Sequence, residues 1–334
     1  MQLERARTLG AVHRFVQPLD RPREDARRRR FDGLGHLLKV SRGGRLGVAT
    51  RVPGVSVALA LLSSVLWGTA DFLGGTATRR LPALAVVGGS QAVALLCLVP
   101  VTLLAGAQPE HPWSGAAAGV IGVVALGAFY AALAGGKMGV VAPIAALGAG
   151  IPVAVGLTRG EVPSALQITG IAVAIAGVIL ASGPELSGGA SPRPLLLAAV
   201  AAVGFGLVVV LIADGAQGSL GSLVSSLLVM RATSVALLVV VLMAARLVGR
   251  RSRPTLRRPD LLLLTAIGAG DVGANGAFAV ATRSGLLSVV AVLASLYPVV
   301  TVLLARKFQA ERIRPIQVVG AVATLGGVVL LAAG

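Results

Sequence analysis

Residues 268–278 read GAGDVGANGAF, and three chemistries fit that string. Gly268, Gly270 and Gly273 have the spacing of a glycine loop that cradles a dinucleotide pyrophosphate. Gly268-Ala269-Gly270-Asp271 places a carboxylate where half of a proteolytic acid pair could stand. Asp271, Asn275 and Phe278 also share one face of a helix, as a polar pair and an aromatic wall able to grip a solute. The elements that hold this stretch decide among the three.

Composition puts those elements in a bilayer. The chain of 334 residues is 55% hydrophobic and 13% charged, against about 25% charged in a soluble domain. Cys97 is the single cysteine and lies in an apolar run, so no intramolecular disulfide forms. His13, His36 and His111 all fall outside the apolar segments, and no Cys/His ligand spacing occurs, so neither a metal nor a cofactor is expected. The formal charge of +17 is concentrated in loops and in the first 53 residues, which hold 13 of the 30 Lys and Arg. Such residues fix topology and touch anionic headgroups. The tail has only Phe15 and Phe31 for base stacking, so nucleic acid is not expected as a partner. Residues 1–53 read as a disordered basic tail, or else as the product of an early start site, because no methionine stands between Met1 and Met138.

Ten runs are long and apolar enough to span, at about 54–76, 82–105, 114–134, 138–157, 164–182, 194–213, 220–245, 261–282, 285–304 and 313–333. Unsatisfied backbone is too costly in lipid, so each is expected to be a helix. Pro143, Pro152 and Pro298 should kink the fourth and ninth. The chain also matches itself. Glu161, Gln167, Gly170 and Gly177 recur as Glu311, Gln317, Gly320 and Gly327, each displaced by 150. Ala128-Phe129 and Val140-Val141-Ala142 recur as Ala277-Phe278 and Val289-Val290-Ala291, displaced by 149, and Trp67-Gly68 pairs more loosely with Phe205-Gly206. The fold expected is therefore all-α and integral to the membrane, with ten helices in two five-helix repeats, 54–183 and 184–334. Because five is odd, the repeats are inverted, an arrangement common in carriers whose substrate site lies where the halves meet.

LLSSVLWGTADFLGG at 61–75, the duplicated Glu-x5-Gln-x2-Gly-x6-Gly ends and SLYPVVTVLLA at 295–305 resemble the EamA branch of the drug/metabolite transporter superfamily. The likeness covers about residues 54–334. It implies ten helices, no ATPase domain and movement of small metabolites across the cell membrane.

In that setting the dinucleotide reading of 268–273 fails, since no strand precedes it and positions 286–296 hold no acid. The protease reading needs a second intramembrane carboxylate, for which Asp71 is available. Pro82-Ala83-Leu84 imitates the accompanying motif but stands on the wrong side of the glycines. An intramembrane protease using Asp271 and Asp71 is therefore the alternative, beside a non-transporting scaffold. The main expectation is a secondary carrier for a small polar or amphipathic metabolite, not an enzyme. Asp271 stands near mid-bilayer, where a carboxylate costs about 2.5–3.5 kcal/mol unless it meets a partner or water. Arg231 is the natural partner, and Gln91 is its counterpart at a displacement of 140. Asp71 is a second cavity carboxylate suited to exchanging a proton. The expected site is Asp71, Gln91, Arg231, Asp271 and Asn275, walled by Trp67, Tyr130 and Phe278, with Tyr297 as a further hydroxyl. Glu161 and Glu311 are expected to stabilise helix N-termini at loop edges.

Orientation pits two signals against each other. The odd-numbered loops and their edges hold 14 basic residues, among them Arg79, Arg80, Lys137, Arg193 and Arg246, against Arg159 and Arg283 in the even-numbered loops. That places the odd loops in the cytoplasm and the termini outside. The basic tail, with Lys39, Arg42, Arg45 and Arg51 near the first span, and the family resemblance both favour cytoplasmic termini. The loop count decides the expectation for the membrane domain.

Overall fold

A computed structural model of the chain describes residues 53–105, 110–136, 138–182, 192–247, 256–309 and 315–333. The expectations for the tail and for Glu311 lie outside these residues. Among the described residues the regular structure is helical: α1 Pro53–Ala77, α2 Ala83–Ala105, α3 Pro112–Gly135, α4 Met138–Ala146, a 3₁₀ turn Leu147–Ala149 and α5 Gly150–Thr158. Then follow α6 Ala165–Ser182, α7 Pro192–Gly215, α8 Leu220–Leu247, α9 Arg258–Ser284, α10 Leu287–Ala294, α11 Tyr297–Gln309 and α12 Pro315–Ala333. Seven stretches of the described residues are long and apolar enough to cross a membrane: Gly54–Ala77, Ala83–Ala105, Pro112–Gly135, Arg193–Gly215, Leu220–Leu247, Arg258–Ser284 and Leu287–Gln309. Large apolar side chains such as Leu103, Leu104, Leu196 and Leu262 point outward along them, as lipid-facing residues must. This is a multi-pass membrane protein.

The fourth and ninth apolar runs correct the expectation of kinked but continuous helices. The run from Met138 is interrupted at Leu147–Ala149, and the run from Leu287 at Ser295-Leu296. Proline explains both breaks. A proline lacks the amide that would bond the carbonyl four residues back, and its ring crowds that carbonyl. For Pro152 that residue is Gly148, inside the 3₁₀ turn, and for Pro298 it is Ala294, the last residue of α10.

Helix pairing follows the repeat. α1 packs on α9 and α7 on α3; α2 packs on α9 and α8 on α3; α10 and α11 pack on α1, and α4 and α5 on α7. α2 pairs with α8 and α6 with α12. Exchanging the two halves leaves this pattern unchanged. It holds even at single residues. A Cβ added to Gly119 in α3 would press on the carbonyl of Met230 and on Thr233 of α8. One added to Gly268 in α9 would meet the carbonyl of Ser90 at 2.5 Å and Val93 of α2 at 2.8 Å. Gly119 and Gly268 differ by 149, and Met230 and Ser90 by 140, the displacements read from the sequence. Glycine here lets two backbones touch.

Candidate functional site

Seven of the eight expected site residues line one cavity of about 820 Å³, counting its open mouth: Trp67, Asp71, Gln91, Arg231, Asp271, Asn275 and Phe278. Both helix breaks, at Gly148-Ala149 and Ala294-Ser295, also form its wall. Tyr130 is the exception. Its ring is fully buried, lies against Gly74 of α1 and stacks at 5.9 Å on Phe129, and it is not among the residues that line the cavity. Tyr297, opening α11, reaches the wall, and no described residue bonds its buried hydroxyl.

The polar groups are assembled by helix register. Arg231 on α8 is 2% exposed, and its Nη1 donates to Gln91 Oε1 on α2 at 2.8 Å. These two residues are counterparts in the repeat, so they meet where the halves pair with themselves. Arg231 Nη2 lies 2.9 Å from Asp271 Oδ2 as an ion pair without hydrogen-bond alignment. Asp271 Oδ1 accepts from Asn275 Nδ2 at 2.8 Å, one turn on along α9, and from Trp67 Nε1 on α1 at 3.2 Å. The Trp67 ring is 5.7 Å from that of Phe278. Asp271 therefore holds a cation and two neutral donors, which is how a mid-membrane carboxylate stays tolerable. Asp71, one turn beyond Trp67, is 8% exposed, and no described residue bonds it.

The rest of the wall escaped the sequence reading. Gly122 and Leu126 of α3, Phe205 and Val209 of α7, and Met230 of α8 are all cavity residues. A signal was present: displacing Asp271, Asn275, Trp67 and Asp71 by their repeat offsets lands on Gly122, Leu126, Phe205 and Val209. Attention to polar groups alone passes over such positions.

Two polar clasps tie helix ends together. Arg159, after α5, donates from Nη1 and Nη2 to Asp214 near the end of α7 at 2.6 and 3.1 Å. That bonding holds the Arg159 guanidinium above its ordinary pKa. At the equivalent positions Gln309 donates to Thr76 Oγ1 at 3.0 Å and accepts from Arg79. Glu161 does stabilise a helix N-terminus, but one in the other half: its two oxygens accept the amides of Leu287 and Ser288 at 2.6 and 3.0 Å, opening α10.

A paired bundle of apolar helices, broken twice beside a polar cavity between two repeats, defines the membrane-transporter class. A family model described as the EamA-like transporter family matches residues 54–183 and 192–333, and the chain belongs to that family. A solved crystal structure, titled only "Crystal structure of protein", superimposes with a TM-score of 0.65 at 18% identity, covering 82% of this chain and 97% of that one. At that identity the likeness speaks for the fold alone. No curated protein sequence matches the chain.

Proposed function

We propose that this protein is a secondary carrier that moves a small polar or amphipathic metabolite across the cell membrane by alternating access. The observation that carries the reading is the cavity where the repeats meet, with an ion pair and hydrogen bonds on Arg231 and Asp271 and a helix break on either side. Discontinuous helices beside a midplane cavity are the usual site architecture of carriers. Ten spans fit if α4–α5 and α10–α11 each count as one.

Inversion of the halves is supported by which helix ends meet. Ser56, in the first turn of α1, lies beside Gly285, next to the α10 N-terminus that Glu161 holds. Arg159, two residues from Glu161, grips Asp214 near the end of α7. The start of α1 and the end of its repeat α7 thus share one end of the bundle. Arg159 and Arg283 belong to that end, and Arg283 is spent on the carbonyl of Gly218. The opposite end carries Arg79, Arg80, Arg193, Arg246 and Arg257, so we assign it to the cytoplasm. A proton-coupled cycle would use Asp71, the cavity carboxylate without a described partner.

The protease alternative has both carboxylates in one cavity, but Asp271 is paired with Arg231 and accepts from Trp67 and Asn275, and no hydrogen bond among the described residues joins it to Asp71, whereas a catalytic acid pair must share a proton. The test is flux of a radiolabelled metabolite panel into proteoliposomes. Asp271→Asn should abolish uptake of any transported solute while the protein stays folded in the membrane. Uptake by that variant equal to the parent, with an unchanged pH response, would reduce Asp271 to a structural role. Thiol labelling in a Cys97→Ala background, at Val162→Cys from one side and Arg312→Cys from the other, checks the inversion. Both labelled from one side would refute it.

A further inference from the structure

We infer that the solute this cavity recognises is a monovalent organic cation, an amine or ammonium with an apolar body, and that Asp71 is its counter-ion. The inference deepens the carrier reading and rests on it for what the binding accomplishes. Its starting point is the charge balance of the wall. Three acid–base side chains that are ordinarily charged line the cavity: Asp71, Asp271 and Arg231. Arg231 stands 2.9 Å from Asp271, and Gln91 takes a further guanidinium donor. Asp271 also accepts from Trp67 and Asn275. Asp271 and Arg231 thus balance each other in charge, although Arg231 Nε and Nη2 have no aligned hydrogen-bond acceptor among the described residues, and Asp71 is left over.

Asp71 is more than nine-tenths buried, faces the cavity and receives neither a hydrogen bond nor an ion pair from any described residue. A carboxylate in that condition either takes up a proton or is complemented by a cation that enters the space in front of it. An anionic solute would face two carboxylates and one guanidinium whose charge Asp271 already balances. A cationic one completes the set.

The surroundings suit an ammonium in two further ways. Trp67 is one turn before Asp71 on α1, and Phe278 and Tyr297 line the same cavity. Aromatic faces attract a desolvated cation beside its counter-ion. Across the cavity, Phe205, Val209 and Leu126 offer apolar surface and no charge. A solute with one charged end and one apolar end therefore has a single sensible orientation, ammonium toward α1 and body toward α7 and α3.

Three probes of one shape test this: 2-phenylethylamine, 2-phenylethanol and 3-phenylpropionate. The protein has two tryptophans, Trp67 and Trp113. A Trp113→Phe background in detergent therefore reports binding through Trp67 fluorescence, with equilibrium dialysis as a check. The amine should bind at least tenfold more tightly than the alcohol, and the propionate should not compete. Asp71→Asn should erase that preference, and Asp71→Glu should retain it, which separates lost charge from lost fold. The inference is overturned if amine and alcohol bind alike, if the propionate binds best, if the amine shows no saturable binding, or if Asp71→Asn keeps the preference. Flux is measured separately. Amine binding without amine flux would defeat the carrier reading and spare the counter-ion, whereas flux of a neutral or anionic solute without amine preference would do the reverse.

Discussion

Gly122, Leu126, Phe205 and Val209 occupy, on α3 and α7, the positions that Asp271, Asn275, Trp67 and Asp71 occupy on α9 and α1. The two walls are built by the same helix pairing and the same backbone contacts, down to the glycines that let α3 touch α8 and α9 touch α2. One wall nevertheless carries two carboxylates, an amide and an indole donor, and the other carries none. Packing and chemistry have separated. Close helix contact constrains the residue facing the neighbour's backbone in both halves. The residue facing the cavity is free of that backbone contact, so it can differ between halves. A two-fold scaffold thereby holds a one-sided site.

The largest effect tests the shared packing. Gly119→Val and Gly268→Val each drive side-chain atoms into a neighbouring carbonyl and should each destabilise by about 3 kcal/mol, the upper part of the usual overpacking range. Gly127→Ala and Gly276→Ala, also counterparts at 149, have open space around the added carbon and should be close to neutral. Thermal unfolding in detergent measures all four. Costs for Gly119 and Gly268 that differ by more than about 1 kcal/mol, a large step for a single substitution, would break the equivalence of the halves.

Next comes the chemistry the halves do not share. Asp271→Asn leaves the Arg231 guanidinium without its counter-ion. Breaking a fully buried pair costs about 3–5 kcal/mol. Here the Asp271 side chain is 20% exposed toward the cavity, so we expect about 2 kcal/mol after that discount. Replacing its counterpart, Gly122→Ala, should cost less than half as much, because Met230 and Val208 are both 3.6 Å from the added carbon, an ordinary contact distance. Chemical denaturation of the two variants side by side gives the ratio, and equal costs would mean the wall is set by packing after all.

Smaller effects sharpen a second contrast, between the ends. Glu161→Gln weakens the cap on α10 and should cost about 1 kcal/mol. Asp214→Asn removes an ion pair whose Arg159 side chain is 46% exposed, and the expected loss is under about 1 kcal/mol. Salt should lower parental stability through this pair and have less effect on Asp214→Asn. Thr76→Ala removes only the neutral Gln309–Thr76 hydrogen bond at the equivalent position and should leave the salt response as in the parent. Melting curves at low and high salt check both, and equal salt responses would erase the contrast.

Much of this molecule was legible in the chain. Apolar run length fixes spanning helices because lipid offers the backbone no other partner. The repeat was visible because glycines and Glu–Gln pairs recur at fixed displacements. A carboxylate at Asp271 announced a site because its cost in lipid demands a partner, and the partners proved to be Arg231, Asn275 and Trp67. Tertiary structure decided the rest. Nothing in the sequence said that Pro152 and Pro298 would break their helices outright, because a proline's missing bond becomes a kink or a gap according to what packs beside it. Nor did it say that Tyr130 would turn under Gly74 while Tyr297 reached the cavity, since rings on apolar helices carry no mark of the face they take. Glu161 could be read as a cap, but the helix it caps begins 126 residues away. Local pattern determines which segments are helices and which groups need partners; only the packing of one repeat against the other determines which partners they get.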